Sequence, residues 1–169
     1  MSSQKGVTLI ELMIALGILA IIAAIALPNF QTLMQNNRMT TTGNEVLGLT
    51  QLARAEAIRN NRPVILSLNA APNLAADEGH ITVFVDNNRN GVEDAGDRRI
   101  RTYVMSNTQI SLEAKRSGAV VNTVTYLPNG RTTVNAETQV HICDERDQGH
   151  QVVIRNSGQS RLDAGAAIC

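Results

Sequence analysis

The residues from 86 to 97 carry the oxygen-bearing side chains that a calcium ion prefers. Asp86, Asn88 and Asn90 take the first, third and fifth positions of a twelve-residue calcium-binding loop. Gly91 takes the sixth position, and Asp97 takes the twelfth, where the longer glutamate is usual. The same residue types favour tight turns, and the flanking segments have the composition of strands. We therefore predict a polar hairpin turn, and calcium binding is the alternative.

The segment from His141 to His150 holds a second group of metal-ligand residue types. It contains the two histidines at its ends and Cys143 between them. Their spacing matches no zinc signature, so we predict that both histidines are exposed residues at strand ends and that no metal binds there. The sequence also offers no nucleophile elbow, phosphate-binding loop or acid–base pair. We therefore expect a protein that is not an enzyme and that has no cofactor.

An apolar stretch from Val7 to Leu27 contains a single ionisable side chain, Glu11. As a helix it would extend over about 31 Å, at about 1.5 Å per residue, which matches a hydrocarbon core of about 30 Å. Lys5 is the only basic residue before it, which favours a cytoplasmic N-terminus with the rest of the chain outside the cytoplasm. A carboxylate at mid-membrane costs about 2.5–3.5 kcal/mol, and less near the interface.

Three interpretations of this stretch compete. It is a plain membrane anchor with a carboxylate near one interface, or a secretory signal cleaved at Ala24–Ala26, or a helix in which Glu11 has a partner. The third has a specific sequence behind it, because the residues from Gly6 to Glu11, GVTLIE, resemble the class III signal of type IV pilins and type II secretion pseudopilins. This chain has Val7 where pilins more often have phenylalanine.

The resemblance implies a processing route and a set of partners. A prepilin peptidase would cut between Gly6 and Val7 and methylate the new amine of Val7, which makes Glu11 the fifth mature residue. Glu11 would then face the amine of a neighbouring subunit, since an opposite charge stabilises a carboxylate in a medium of low dielectric. The precursor would lie in the inner membrane with its C-terminal domain in the periplasm, and would later join the major pilin and other minor pilins in a pilus on the cell surface.

Four segments follow from the periodicity and from the resemblance. We predict a leader at 1–6, a transmembrane or filament-core helix at 7–29, an amphipathic helix at 30–61 and an antiparallel β domain at 62–169. The apolar residues at helical spacing in the second helix are Val46, Leu49, Ala53 and Ala57. The predicted strands are Val64–Leu68, His80–Val85, Ile100–Met105, Ile110–Ala114, Val120–Leu127, Val134–Cys143 and Gln151–Arg155. A long N-terminal helix packed on an antiparallel sheet, an α+β fold, is the pilin architecture.

Composition limits the remaining function classes. Basic and acidic side chains balance at 15 each and aromatic residues make up 2% of the chain, which argues against a general nucleic-acid binder with a base-stacking platform. An extracytoplasmic domain with one cysteine pair, Cys143 and Cys169, suggests one disulfide, and two free buried thiols are the alternative. A disulfide near the C-terminus also resembles many pilins.

Three later features are the segment Leu52–Ile58 before a strand, the Asp- and Asn-rich turn after Val85, and Cys143 followed by a strand and Gly158. Together they resemble the minor-pilin group that includes FimT, FimU and the pseudopilin GspH. In DNA-uptake minor pilins of the FimT type, a C-terminal Gly-Arg-x-Arg places arginines for phosphates. Here Gly158 and Arg161 match, but Gln159 stands in the first arginine position, and Arg155 or Arg131 would have to compensate. A solvated turn is the alternative.

We therefore predict a minor pilin that acts near the tip of a type IV pilus, in the complex that initiates assembly. One alternative is a DNA-binding minor pilin for natural transformation, with Arg155 and Arg161 as DNA contacts. The other is a minor pseudopilin of type II secretion.

Overall fold

The computed structural model describes Gly6, Cys169 and the residues 8–68, 80–105, 110–146 and 148–164. The chain divides into two compact units, Met1–Arg38 and Met39–Cys169. In the described part of the chain one helix, α1 (Leu9–Asn60), is followed by nine strands. These are β1 (Val64–Leu68), β2 (His80–Val85), β3 (Arg98–Val104), β4 (Ile110–Arg116), β5 (Ala119–Val120), β6 (Thr123–Tyr126), β7 (Thr138–Asp144), β8 (Gly149–Ile154) and β9 (Ser160–Ala164).

Helix α1 begins directly after Thr8, which caps it. The Thr8 hydroxyl oxygen accepts a hydrogen bond from the backbone N–H of Glu11 at 3.3 Å, as an N-cap residue does. The helix is 52 residues long and continues through Pro28, although proline removes one backbone donor. A single helix therefore covers the two helical segments that were predicted separately, 7–29 and 30–61.

The last turn of α1 is held by Glu56, whose side chain is almost buried. Its carboxylate accepts hydrogen bonds from the Asn60 amide (2.8 Å) and from Arg59 (3.0 Å), and Arg98 of β3 lies 3.6 Å away. The hydrogen bond from Asn60 is the main reason that the pKa of Glu56 is lowered; burial opposes the shift, and Arg59 and Arg98 add to it. The helix ends here because Asn61 adopts a left-handed backbone with φ of 51°.

One apolar core in the second unit contains residues of α1 and of both sheets. Val46, Leu49 and Ala53 are buried on one face of the helix, as their spacing predicts. Gly43 allows β9 to approach this face, because a Cβ at that position would lie only 2.9 Å from Leu162. The sheet residues in the same core include Leu66, Val83, Val124, Val140, Ile142 and Val152.

The strands form two antiparallel sheets. The first has the order β3-β2-β1-β6 and the second the order β5-β4-β7-β8-β9. All residues of β1 and β2 are buried, whereas β3 lies at an edge and exposes its arginines. In the second sheet alternate residues enter the core, namely Val140 and Ile142 of β7 and Val152 and Ile154 of β8.

Among the differences between the predicted and the observed strands, two concern whole elements. The predicted strand Val120–Leu127 is wrong as one element: β5 and β6 are separate strands that belong to different sheets. They part at Asn122, whose carbonyl accepts a hydrogen bond from the N–H of Leu68 at 2.8 Å. Strand β9 was not predicted, because its sequence, Ser-Arg-Leu-Asp-Ala, lacks the apolar alternation of a buried strand.

The disulfide between Cys143 and Cys169 is formed, as the sequence predicts, and it spans 26 residues. Cys143 lies on β7, and β9 lies two strands away in the same sheet. The bond therefore ties the end of the chain to the middle of the sheet rather than to the edge strand that precedes it.

Candidate functional site

The first unit exposes a continuous apolar helical surface. The large apolar side chains from Leu9 to Leu27 are all exposed, and by length and composition α1 is able to cross a membrane. Glu11 is exposed within this surface, in the first turn of the helix. Gly6 is exposed as well, but Val7 lies outside the described residues. Cleavage between Gly6 and Val7, methylation of Val7 and the assembly role of Glu11 stay predictions.

The polar loop between β2 and β3 is closed by hydrogen bonds among its own residues. Asp86 is buried, and its carboxylate accepts hydrogen bonds from the backbone N–H groups of Asn90 (3.2 Å) and Gly91 (3.0 Å). The Asp97 carboxylate accepts a hydrogen bond from the N–H of Asn87 at 2.8 Å. These contacts are those of the polar hairpin turn that the residue types predict.

Two side-chain amides of this loop converge on one carboxylate. Asn88 and Asn90 donate to Oδ2 of Asp94, and the N–H of Gly96 donates to its Oδ1 at 2.8 Å. The bond from Gly96, followed by that from Asn88, lowers the pKa of Asp94. Among the described residues, no group of three or more His, Cys, Asp or Glu side chains is arranged to hold a metal ion. Calcium binding by the four candidate ligands, Asp86, Asn88, Asn90 and Asp97, stays the alternative to the predicted turn.

The two histidines lie on opposite faces of the second sheet. His141 pairs with Glu113 and Gln151, whereas His150 pairs with Ile142, which faces the core. The prediction that both are exposed is wrong: His141 is only 6% exposed and His150 is half-buried. His141 sits on a central strand, so neighbouring strands flank it on both sides. Burial lowers the pKa of His141, and neither of its ring nitrogens has a hydrogen-bond partner among the residues described.

The predicted DNA contacts, Arg155 and Arg161, lie together on the β8–β9 hairpin and line one surface depression of about 280 Å³. Both have carboxylate partners. The Nε of Arg155 is 3.4 Å from Glu137, and a terminal nitrogen of Arg161 is 3.0 Å from Asp163. Arg131 is not among the residues that line this depression. The structure therefore brings two of the three predicted arginines together, but each is already paired.

A fourth arginine, Arg54 on α1, was not singled out from the sequence. Its Nε donates a hydrogen bond to the carbonyl oxygen of Gly130 at 3.0 Å. This contact forms where the turn that contains Gly130 meets the turn that contains Gly158. A Cβ at Gly158 would lie 1.8 Å from the Gly130 oxygen and 3.2 Å from Arg54 Nε. Both glycines have φ of 77°, so two turns and one guanidinium share a space that no side chain could enter.

Beside Arg54 is a second depression of about 370 Å³. Helix α1 contributes Gln51, Ala55 and Ile58 to its wall, and the β8–β9 turn contributes Gln159 and Ser160. The two elements are joined by a hydrogen bond between the hydroxyls of Thr50 and Ser160 at 2.8 Å. No signal in the sequence marks Arg54 as part of this site, because it lies more than 100 residues from Gln159 along the chain.

Comparison with known proteins gives two family matches. The model of the type II transport protein GspH matches residues 42–158, and that of the prokaryotic N-terminal methylation motif matches residues 1–27. The chain is 28% identical to the pilin-like protein PilA1 of Thermus thermophilus over 165 residues, which cover 95% of this chain and 99% of that protein. It is 40% identical to a fimbrial protein of Pseudomonas aeruginosa over 67 residues, and it spans 43% of that relative's length.

Two solved structures share the fold. The minor pilin FimU of Pseudomonas aeruginosa superimposes with a TM-score of 0.57 at 20% identity, covering 78% of this chain and 92% of FimU. The minor pseudopilin EpsH of the Vibrio cholerae type II secretion system has a TM-score of 0.53 at 14% identity, with 75% and 96% coverage. The fold is therefore pilin-like, with one long N-terminal helix and antiparallel sheets, as predicted.

Proposed function

Because the chain belongs to the family of the type II transport protein GspH, we propose that it is a minor pilin acting in the complex that initiates assembly of a type IV pilus. Membership in this family makes it a minor pilin or pseudopilin, of a type IV pilus or a type II secretion system. The family consists of structural subunits, and we propose no catalytic activity. Prepilin peptidase, other minor pilins and the major pilin are its proposed partners.

The exposed apolar surface of the first unit carries this proposal. Such a surface is stable only in a bilayer or against other apolar helices. Here it starts at Leu9 and contains one carboxylate, Glu11, close to its N-terminal end. We propose that the helix lies first in the inner membrane, with the second unit in the periplasm, and then in the core of a filament displayed at the cell surface.

Glu11 has a role in this scheme that a plain anchor would not give it. Cleavage after Gly6 would leave a positive amine on Val7, and Glu11 of one subunit would neutralise the amine of its neighbour. An unpaired charge in an apolar bundle is strongly destabilising, so only a neighbour at the correct stagger would be accepted. The carboxylate would thus set the register of the subunits at the cost of stability in the bilayer.

Replacement of Glu11 tests this role. We expect Glu11→Ala to insert into the membrane at the normal level but to enter purified filaments at least about thirtyfold less, because loss of one partner of a buried charge pair costs about 2 kcal/mol or more. Glu45→Ala is the matched control, because Glu45 is a carboxylate of the same helix in an exposed ion pair with Arg101. Incorporation of Glu11→Ala at the level of Glu45→Ala would refute the proposed role.

Analysis of the mature N-terminus tests the processing on which the scheme depends. Mass spectrometry of protein purified from cells is expected to find N-methylated Val7 as the first residue. A mature protein that begins at Leu27 would instead indicate ordinary secretion, and one that retains Met1 would contradict processing by a prepilin peptidase.

DNA binding is the second candidate function, favoured by the shared depression of Arg155 and Arg161. The ion pairs with Glu137 and Asp163 weaken it, since both positive charges are already partly neutralised. A gel shift with duplex DNA across a salt series is the test. Binding that Arg161→Gln reduces, together with a smaller salt dependence, would favour a DNA receptor. Co-purification with other minor pilins in the absence of DNA binding would favour the assembly role.

A further inference from the structure

Arg54 of α1 differs from the two arginines of the β8–β9 hairpin because no carboxylate among the described residues neutralises its charge. Its Nε is held by the Gly130 carbonyl, and among the residues that the structure describes its two terminal nitrogens have no partner. Arg155 and Arg161, by contrast, each have a carboxylate within 3.4 Å. Arg54 therefore presents an uncompensated positive charge with two groups of donors still available.

The guanidinium of Arg54 is fixed before any ligand arrives. Besides the bond to the Gly130 oxygen, it lies so close to the two turns that a Cβ at Gly130 would be 3.3 Å from Nε and one at Gly158 would be 3.2 Å from it. Holding a long side chain in one orientation removes most of the entropy loss that binding would otherwise cause. The slot between the two glycine turns is thus a built site for a planar cation.

The depression beside Arg54 defines what would bind there. The described residues of its wall include no carboxylate, and they offer the amides of Gln51 and Gln159 as further hydrogen-bond donors. Ile58 forms an apolar border and is 53% exposed. The matching ligand is a single anionic group with apolar surface next to it.

We propose that this depression receives an aspartate or glutamate side chain of a neighbouring pilin-family subunit, whose adjacent apolar side chain covers Ile58. The inference rests on the proposed function, since it requires a filament or a complex of pilin-family subunits. A carboxylate paired bidentately with arginine is a strong and geometrically specific contact. A nucleic-acid backbone fits less well, because affinity for DNA grows with the number of phosphates neutralised, and Arg54 is the one cation among the described residues that line this depression.

Two variants test the role of the Arg54 charge. Two are used so that the result does not depend on one substitution that also disturbs folding. Arg54→Gln removes the positive charge but also the bond to Gly130, whereas Gln159→Glu leaves Arg54 untouched and places a competing carboxylate in the depression. Both are expected to reduce the amount of pilin-family subunits bound by about tenfold. Arg101→Gln is the control, because it removes an exposed arginine whose partner is Glu45, outside the depression.

The measurement uses the full-length chain, purified with an affinity tag from membranes of cells that make the other pilin-family subunits. Quantitative mass spectrometry compares the amounts of those subunits bound to wild type and to each variant. The decisive step is a charge exchange. Arg54→Glu is combined with single Asp→Lys or Glu→Lys changes in the pilin-family subunit that wild type binds and the Arg54 variant does not. We expect one such pair to restore binding.

Binding of the subunits by Arg54→Gln and Gln159→Glu at the wild-type level would overturn the inference, and so would failure of every charge exchange. Retention of a short DNA duplex that Arg54→Gln reduces, with subunit binding unchanged, would assign the depression to nucleic acid instead. Where wild type binds pilin-family subunits and these variants do too, the inference fails while the proposed function stands. Where wild type binds none of them, both fail.

Discussion

The contact between the turns of Gly130 and Gly158 allows a prediction with a worked magnitude. In Gly158→Ala the new methyl would lie 1.8 Å from the Gly130 oxygen, which is backbone and cannot move away alone. A left-handed backbone costs alanine about 1–2 kcal/mol. Overpacking adds about 1–3 kcal/mol. Displacement of Arg54 from its hydrogen bond adds to this cost. We therefore expect Gly158→Ala to lower the free energy of unfolding by about 3–5 kcal/mol.

Gly118→Ala separates the backbone effect from the contact. Gly118 has φ of 83°, and nothing lies within 4 Å of the position where a Cβ would be, so only the conformational cost of about 1–2 kcal/mol applies. Gly48→Ala is a control that is expected to raise the free energy of unfolding instead of lowering it. Gly48 is an exposed position of α1 with open space around it, so alanine is expected to stabilise the fold by about 1 kcal/mol.

Urea denaturation of a fragment from Gln31 onwards, with the disulfide intact, measures all three variants. The difference in the free energy of unfolding between Gly158→Ala and Gly118→Ala measures the cost of the close contact between the two turns. Equal destabilisation by these two changes would refute the argument that Gly158 is required by its contact with Gly130, and would reduce its role to turn geometry alone.

Three further outcomes follow from the second unit. Replacing Cys143 and Cys169 by serine is expected to lower the free energy of unfolding by about 3–4 kcal/mol in the chain-entropy model, and reductant should do the same to wild type in urea denaturation. Because the folded pKa of Glu56 lies below its ordinary value of 4.5, its contribution is present above that pH and is lost as pH falls further. Glu56→Gln should therefore flatten the acid limb of a stability-against-pH curve. The lowered pKa of His141 predicts a loss of stability as pH falls below 6.5, measurable by thermal melting and absent in His141→Gln.

The N-terminal region illustrates what local pattern reveals about this protein. The uninterrupted apolar run and the lone Glu11 indicate a membrane or filament-core helix, because hydrophobicity and length are properties of the sequence itself. The 3–4 spacing of Val46, Leu49 and Ala53 likewise predicts which face of α1 is buried, because helical periodicity fixes the positions relative to one another. The disulfide also follows from the cysteine count together with the predicted extracytoplasmic location of the domain.

Other features depend on contacts between distant parts of the chain. Strand β9 has no sequence signal, and it forms because β8 offers it a pairing edge. The burial of His141 comes from its central strand, which its own neighbours in sequence do not reveal. In both cases the deciding energy is tertiary, and it overrides local propensity.

The sequence by itself determined that this protein has an apolar N-terminal helix followed by short β strands, because both rest on composition or on short-range spacing. The pilin-like arrangement of these elements was implied by the resemblance of the segment from Gly6 to Glu11 to pilin signals. Only the tertiary structure decided which arginine is available for a ligand. Arg161 matches the predicted motif and Arg155 was expected to support it, but they meet Asp163 and Glu137. Arg54 was not predicted as a ligand contact, and it keeps its charge unpaired among the described residues. The physical reason is that a charge acts through its neighbours in space, and the fold alone assembles those neighbours.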